Sequence, residues 1–211
     1  MQILRPAANI FAFYEGRPDA TGAAGCEPTW VEQGALSLGI ASFAIFDGSE
    51  ALVYDTHVSV DRAAVIRETL EQQGVTKFTV LLSHWHLNHI AGTEAFPDCE
   101  IIAGKRTLEL LTDHRQAIEA GTYEGPPAIK PLVLPTTVIS ERTRLKLGKT
   151  PVDLIPTQIH SEDATLVWLP EQRLLLVGDT LEDTVTYYPP FEDVHQENLK
   201  LVLGETTLWL S

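Results

Sequence analysis

Three histidines fall within six residues, in the run Ser83-His84-Trp85-His86-Leu87-Asn88-His89. Imidazole is the commonest nitrogen ligand for zinc-class ions. Alternate side chains of an extended segment project to one side, so His84 and His86 can grip one ion. His89, beyond the point where the chain turns, must face elsewhere. With seven histidines in the chain, chance gives this spacing in on the order of 1% of sequences of this size. An ion held this way is a Lewis acid that polarises a carbonyl and lowers the pKa of bound water toward about 7. That chemistry is hydrolysis.

The cluster needs a rigid support, and the sequence supplies one. Residues 78–82 are continuously apolar, as expected of a strand buried on both faces, and they run directly into Ser83. The carboxyl end of such a strand is where α/β sheets place ligand-binding groups. Upstream, residues 10–14 read as a short strand and 16–28 as a surface loop rich in Gly, Ala and Pro. The apolar runs 40–46 and 51–54, split by Asp47-Gly48-Ser49-Glu50, form a hairpin pattern. A helix capped by Ser59 comes next, with Ala63, Ile66 and Leu70 on one face and Gly74 as its stop.

Downstream, 101–103 reads as a strand, 106–120 as a helix closed by Gly121, and 125–135 as a Pro-rich connector. Strands are expected at 143–147, 152–155, 165–169 and 174–177, with turns at Gly148-Lys149 and Pro170-Glu171-Gln172. A last amphipathic helix is expected at 194–203 and a terminal strand at 206–210. The order predicts one domain over residues 1–211, of α/β or layered α+β architecture.

Composition narrows the function classes. A hydrophobic fraction of 44% with 21% charged residues is that of a globular chain. A net charge of −14 without a basic cluster disfavours phosphate-backbone partners, so no nucleic acid is expected. No apolar run approaches the ~20 residues of a membrane span. The start, Met1-Gln2-Ile3-Leu4-Arg5-Pro6, has no secretory signal pattern. Cys26 and Cys99 lack metal spacing and read as free thiols of a reducing cytoplasm. The expected partner is a small-molecule substrate.

The histidine motif and the segments downstream of it resemble the metallo-β-lactamase superfamily. That family's signature is His-x-His-x-Asp-His after a buried strand, and HWHLNH follows it at every position but the Asp. Its third motif, a loop histidine with a strand after it, is matched by Ile159-His160-Ser161-Glu162-Asp163 and then 165–169. Its fourth, an Asp at the end of the next strand, is matched by Leu174-Leu175-Leu176-Val177-Gly178-Asp179. The resemblance covers about residues 40–180. It implies a four-layer αβ/βα sandwich with metals at one edge of two facing sheets. Carried over, His84, His86 and His160 hold a first zinc, Asp179 bridges two metals, and His89 serves the second. His57, His114 and His195 match no motif and are read as non-ligands, His57 being a candidate to line the cleft.

Two departures weigh on the second site. Asn88 stands where the motif has Asp, and an amide is a weaker ligand that cannot accept a proton as a base. The family's last ligand, a His in a Pro-x-His-Gly turn, has no counterpart before Leu208-Trp209-Leu210-Ser211, so the domain is expected to end before that motif and to lack part of the C-terminal half. One firmly bound zinc with a second weak or absent is the expectation, and Asn88 and Asp179 are the candidate catalytic positions.

The implied activity is hydrolysis of a small ester, lactone or thioester through a metal-bound hydroxide. A catalytically impaired metal-binding relative and a β-lactamase are the alternatives. The run HSEDATLVWLPEQRLLL resembles secreted β-lactamases, whose fourth motif often carries Cys where this chain has Gly178-Asp179. Glyoxalase-type thioesterases usually carry a Gly turn that Ser161-Glu162-Asp163 does not reproduce.

Overall fold

The computed structural model describes residues 1–16, 29–181 and 208–210. It opens with an antiparallel pair, β1 (Gln2–Ala7) and β2 (Ile10–Glu15). A wide helical turn at Trp30–Ala35 runs into the short α1 (Leu36–Leu38). Next come β3 (Ile40–Asp47) and β4 (Glu50–Tyr54), joined by the expected hairpin with Gly48 at φ 61°. The helix α2 (Val60–Glu71) leads to β5 (Lys77–Leu82), the short α3 (Leu87–Ile90), β6 (Glu100–Gly104), the long α4 (Lys105–Ala120) and β7 (Thr137–Ile139). The seven strands form one sheet in sequence order, antiparallel through β4 and parallel from β4 to β7.

A second sheet holds β8 (Thr143–Leu147), β9 (Thr150–Pro156), β10 (Thr165–Leu169), β11 (Leu174–Leu176) and β12 (Leu208–Leu210). The two sheets face each other across a core that includes Phe43, Tyr54, Leu81 and Ile102 on one side and Val152, Leu154, Val167 and Leu176 on the other. Tyr54 Oη crosses this core and donates to the Thr165 carbonyl at 2.7 Å, a polar tie between sheets. The far face of the first sheet packs Val53, Val80 and Leu82 under α2 and α4, through Ile66, Leu70, Leu111 and Ile118. On the far face of the second sheet Ile155, Leu166, Trp168 and Leu175 form a further buried cluster. The expected α+β sandwich is therefore present, and β5 is the doubly buried strand that the apolar run implied. No described helix is long and apolar enough to cross a membrane.

Local chemistry explains most boundaries. Ser59 Oγ accepts from the Arg62 N–H at 3.3 Å, capping α2, and Ala63, Ile66 and Leu70 are its buried face. Gly121, at φ 67°, ends α4 in the left-handed conformation a side chain disfavours. Two strands were not anticipated. β1 is an exposed edge strand with no buried alternate face, so its side chains leave no periodicity to read. β7 is a three-residue strand just beyond the Pro-rich connector. The expected loop at 17–28, the helix at 194–203, Cys26 and His195 lie outside the described residues, and β12 matches the end of the expected terminal strand. Cys99 is a half-buried free thiol.

Asp153 in β9 is 1% exposed and is held by Arg144 (2.6 Å) from β8 and by Arg142 (2.5 Å). The Arg144 hydrogen bond, helped by Arg142 and opposed by burial, holds its carboxyl below the usual carboxylate range. A depressed folded pKa contributes stability above the unfolded pKa of about 4, and that stability is lost as pH falls through the folded value. Asp153→Asn is expected to destabilise the protein by about 1–2 kcal/mol at pH 7, discounted for the partly exposed arginines. In thermal melts the gap between wild type and variant should close as pH drops below about 4. A gap independent of pH would show that the ion pair is not its source.

Candidate metal centre

β4 and β5 lie side by side and parallel, so their carboxyl ends deliver Asp55 and Ser83 to the same place. Asp55 is 1% exposed, has φ 68°, and makes its backbone N–H bond to the Leu81 carbonyl at 2.9 Å. Its Oδ1 accepts from the Ser83 N–H at 2.7 Å. Its Oδ2 accepts from Ser83 Oγ at 2.7 Å and from His89 Nδ1 at 2.8 Å. Ser83 Oγ has a single proton and gives it to Asp55, so at 2.8 Å it accepts from His84 Nδ1–H. The other ring nitrogen of His84, Nε2, is left with its lone pair facing inward.

That nitrogen is one corner of a tight group. His84 Nε2 lies 2.9 Å from His86 Nδ1, which lies 3.3 Å from His160 Nε2. Zinc bound tetrahedrally at its usual metal–nitrogen distance separates its nitrogens by about 3.3 Å. Burial, helped by His89 and His86, holds His84 well below its ordinary pKa. Burial and then His160 bring His86 down to about 4, and burial lowers His160. All three are neutral at pH 7, the protonation state a metal ligand requires. The donor set fits a zinc-class ion.

A second group combines His84, His89 and Asp179, so His84 belongs to both. Asp179 Oδ2 sits 3.1 Å from His89 Nε2, 3.6 Å from His160 Nε2 and 4.0 Å from His84 Nε2, within reach of both groups. Burial alone would depress His89, but Asp179 and Asp55 on its two sides raise it to about 10. Burial likewise works against the charge of Asp179, and His89, then His84 and His160, outweigh it and keep the carboxylate ionised. In the metal-free chain His89 is thus an imidazolium between two carboxylates. A cation entering this group must displace its proton, a cost the first group does not carry.

The sequence profile of the metallo-beta-lactamase superfamily matches residues 38–205. The chain belongs to the metallo-beta-lactamase superfamily. A hydroxyacylglutathione hydrolase from Synechococcus sp. (strain WH7803) is 30% identical over 145 residues, 64% of this chain and 47% of that protein. A lactamase-like protein, notP, from Aspergillus sp. (strain MF297-2) is 40% identical over 144 residues, 68% of this chain and 39% of that protein. This chain therefore spans less than half the length of either curated relative. The DIM-1 metallo-beta-lactamase exposed to ceftazidime superposes with a TM-score of 0.66 over 99% of this chain and 87% of that one, at 16% identity, which shows the fold.

The structure brings His84, His86, His89, His160 and Asp179 together in this superfamily member. Asn88 sits half-buried on α3 between His86 and His89, and its side chain makes no hydrogen bond with any described residue. His57 is fully buried with neither ring nitrogen bonded, and belongs to neither ligand group. His114, on α4, lies tilted against Trp85 (4.9 Å) and Tyr123 (5.1 Å). Sequence reasoning missed Asp55 and Ser83. The available signal was an Asp closing an apolar strand, but its partners are fixed only by the parallel pairing of β4 with β5.

Asp55→Asn leaves one acceptor oxygen for three donors and turns an NH2 group toward one of them. Metal affinity should fall by about 10- to 100-fold, measured by competition with a chromophoric chelator. Unchanged affinity in a folded variant would show that Asp55 does not position the ligands.

Proposed function

We propose that the chain is a metal-dependent hydrolase of a small ester, lactone or thioester, with zinc held firmly by His84, His86 and His160 and weakly by a second group containing His89 and Asp179. The observation that carries this reading is the convergence of three neutral, inward-facing nitrogens within 3.3 Å of their neighbours. When bound there, the ion supplies a Lewis acid that acidifies water and polarises the scissile carbonyl. The chain's own residues do the rest. Ser83 and Asp55 fix the His84 tautomer and the His89 ring. Asp179 Oδ2, anchored by His89 Nε2 at 3.1 Å, is the carboxylate oxygen at the cluster able to accept a hydrogen bond from the attacking water and orient it. Its side chain is 30% exposed, so substrate can reach it.

The hydroxyacylglutathione hydrolase relative supports the thioester class, although Ser161-Glu162-Asp163 lacks the Gly turn usual in such enzymes. The β-lactamase reading draws on the fold of the solved neighbours, and Gly178-Asp179 stands where those enzymes often carry Cys. The second reading that a specific residue favours is an impaired metal-binding relative. Asn88 is on the same short helix as His89 and offers an amide where the motif offers a carboxylate.

Metal titration with a panel of esters, lactones, thioesters and β-lactams tests the proposal. Weak turnover that chelators abolish is expected, highest on small activated esters, lactones or thioesters. His84→Ala should eliminate the first-site ion and all turnover. Asn88→Asp should raise second-metal occupancy above the wild type and increase turnover by up to about 10²–10³-fold, the worth of one positioning or electrostatic contribution. If Asn88→Asp binds a second metal without faster turnover, Asn88 is not what limits catalysis. No metal-dependent turnover on any panel member, in wild type or variant, would favour the impaired relative.

A further inference from the structure

The candidate ligands are not all held alike. Ser83 and Asp55 orient the rings of His84 and His89 through hydrogen bonds from outside the cluster. Asp179 lacks such a partner. Among the described residues, the one hydrogen bond of its carboxylate is with His89 Nε2, itself a candidate ligand. An ion that takes this nitrogen removes that bond. Asp179 follows Gly178 in the short helical turn Gly178–Thr180, which comes just after β11. The backbone of that turn therefore decides where the carboxylate stands.

Against the turn lies Tyr54, the last residue of β4 and 1% exposed. Its hydroxyl donates at 2.7 Å to the carbonyl of Thr165, which opens the strand that follows the His160 loop. The Thr165 N–H in turn donates to the Ser83 carbonyl at 2.8 Å, just before His84. Gly178 has φ 50°, and a Cβ built on it would lie 3.1 Å from Tyr54 Oη and 3.7 Å from two carbons of the ring. The phenol has little freedom to yield. Its oxygen is tied to Thr165, and its ring is enclosed in the inter-sheet core beside Phe43. Burial, then the charges of Asp55 and Asp179, pushes the phenol well above its ordinary pKa, so it remains a neutral donor at pH 7.

One hydroxyl is thus shared between the strand behind His160 and the turn that carries Asp179. We propose that Tyr54 is a positioning residue for Asp179: its hydroxyl, fixed on the Thr165 carbonyl, is the stop against which Gly178 rests. The stop sets the spacing of the Asp179 carboxylate from His89 and His160, now 3.1 and 3.6 Å from its Oδ2. Glycine at position 178 is required twice over, by its left-handed backbone and by the closeness of the phenol. Tyr54 touches neither candidate ligand group and acts only through the backbone. The inference rests on the reading of Asp179 as a metal-binding and water-orienting carboxylate.

A double-mutant cycle on the full chain tests this, read by cobalt(II) titration and by kcat and KM on the best substrate of the panel. Tyr54→Phe keeps the ring and removes the hydroxyl. It should lower kcat by about ten- to hundred-fold with KM within about twofold, the scale of a displaced catalytic group. It should also weaken the second cobalt equivalent by about tenfold and leave the first within about twofold. Gly178→Ala should cost at least as much in the wild type. In the Tyr54→Phe background its cost should be smaller by about threefold or more, because the added Cβ no longer meets a hydroxyl. Val152→Ala, in the same inter-sheet core, controls for lost stability and should leave kcat and cobalt binding within about twofold. A Tyr54→Phe protein that matches the wild type in both readouts overturns the proposal, as do independent costs in the double variant or an equal loss in Val152→Ala. Tyr54→Phe alone decides if Gly178→Ala does not fold. The cobalt pattern without turnover in any protein supports the positioning role and contradicts the hydrolytic reading.

Discussion

A single buried carboxylate ties the two ligand groups together. The Asp55 carboxyl group is 1% exposed, and three donors meet it at 2.7–2.8 Å, so none of its buried acceptor atoms goes unpaired. Those donors are the Ser83 amide, the Ser83 hydroxyl and the His89 ring, so satisfying Asp55 also fixes the orientation of His89 and, through Ser83, the tautomer of His84. The parallel register of β4 and β5 puts Asp55 and Ser83 at adjacent strand ends, and the doubly buried β5 keeps that register from slipping. The left-handed conformation of Asp55, a modest cost for a short polar residue, turns the chain away from the sheet just where its carboxylate must face sideways.

The site built on this support is asymmetric. Three neutral imidazoles on one side have no proton to lose before they ligate. On the other side His89 begins as an imidazolium between Asp55 and Asp179, and Asn88 brings no charge to offset a second dication. Asymmetry is thus written twice, once in the protonation of His89 and once in the side chain at position 88. Neither His89 nor Asn88 belongs to the inter-sheet core cluster.

The sequence disclosed the histidine cluster, β5 and the two long helices because each leaves a periodic or spaced signal. His84-x-His86 projects to one side, the 78–82 run is apolar throughout, and Ser59 and Gly121 sit at the helix ends they close. The β1 edge strand was not legible, since an exposed strand has no apolar face. Asp55 was equally hidden. Its role is a relation between residues 28 and 34 positions apart, set by strand pairing and not by any local pattern. The sequence suggests one ligand group for His84, while in the structure it lies within reach of both candidate groups, a consequence of ring packing that spacing cannot express.

The proposed chemistry rests on joint ligation of one metal by His84 Nε2, His86 Nδ1 and His160 Nε2. Zinc K-edge X-ray absorption on protein loaded with one equivalent of zinc reads this directly. Three imidazole nitrogens at about 2.0 Å with one further light-atom ligand is the predicted first shell. A shell with sulfur, or with fewer than three imidazoles, would contradict it.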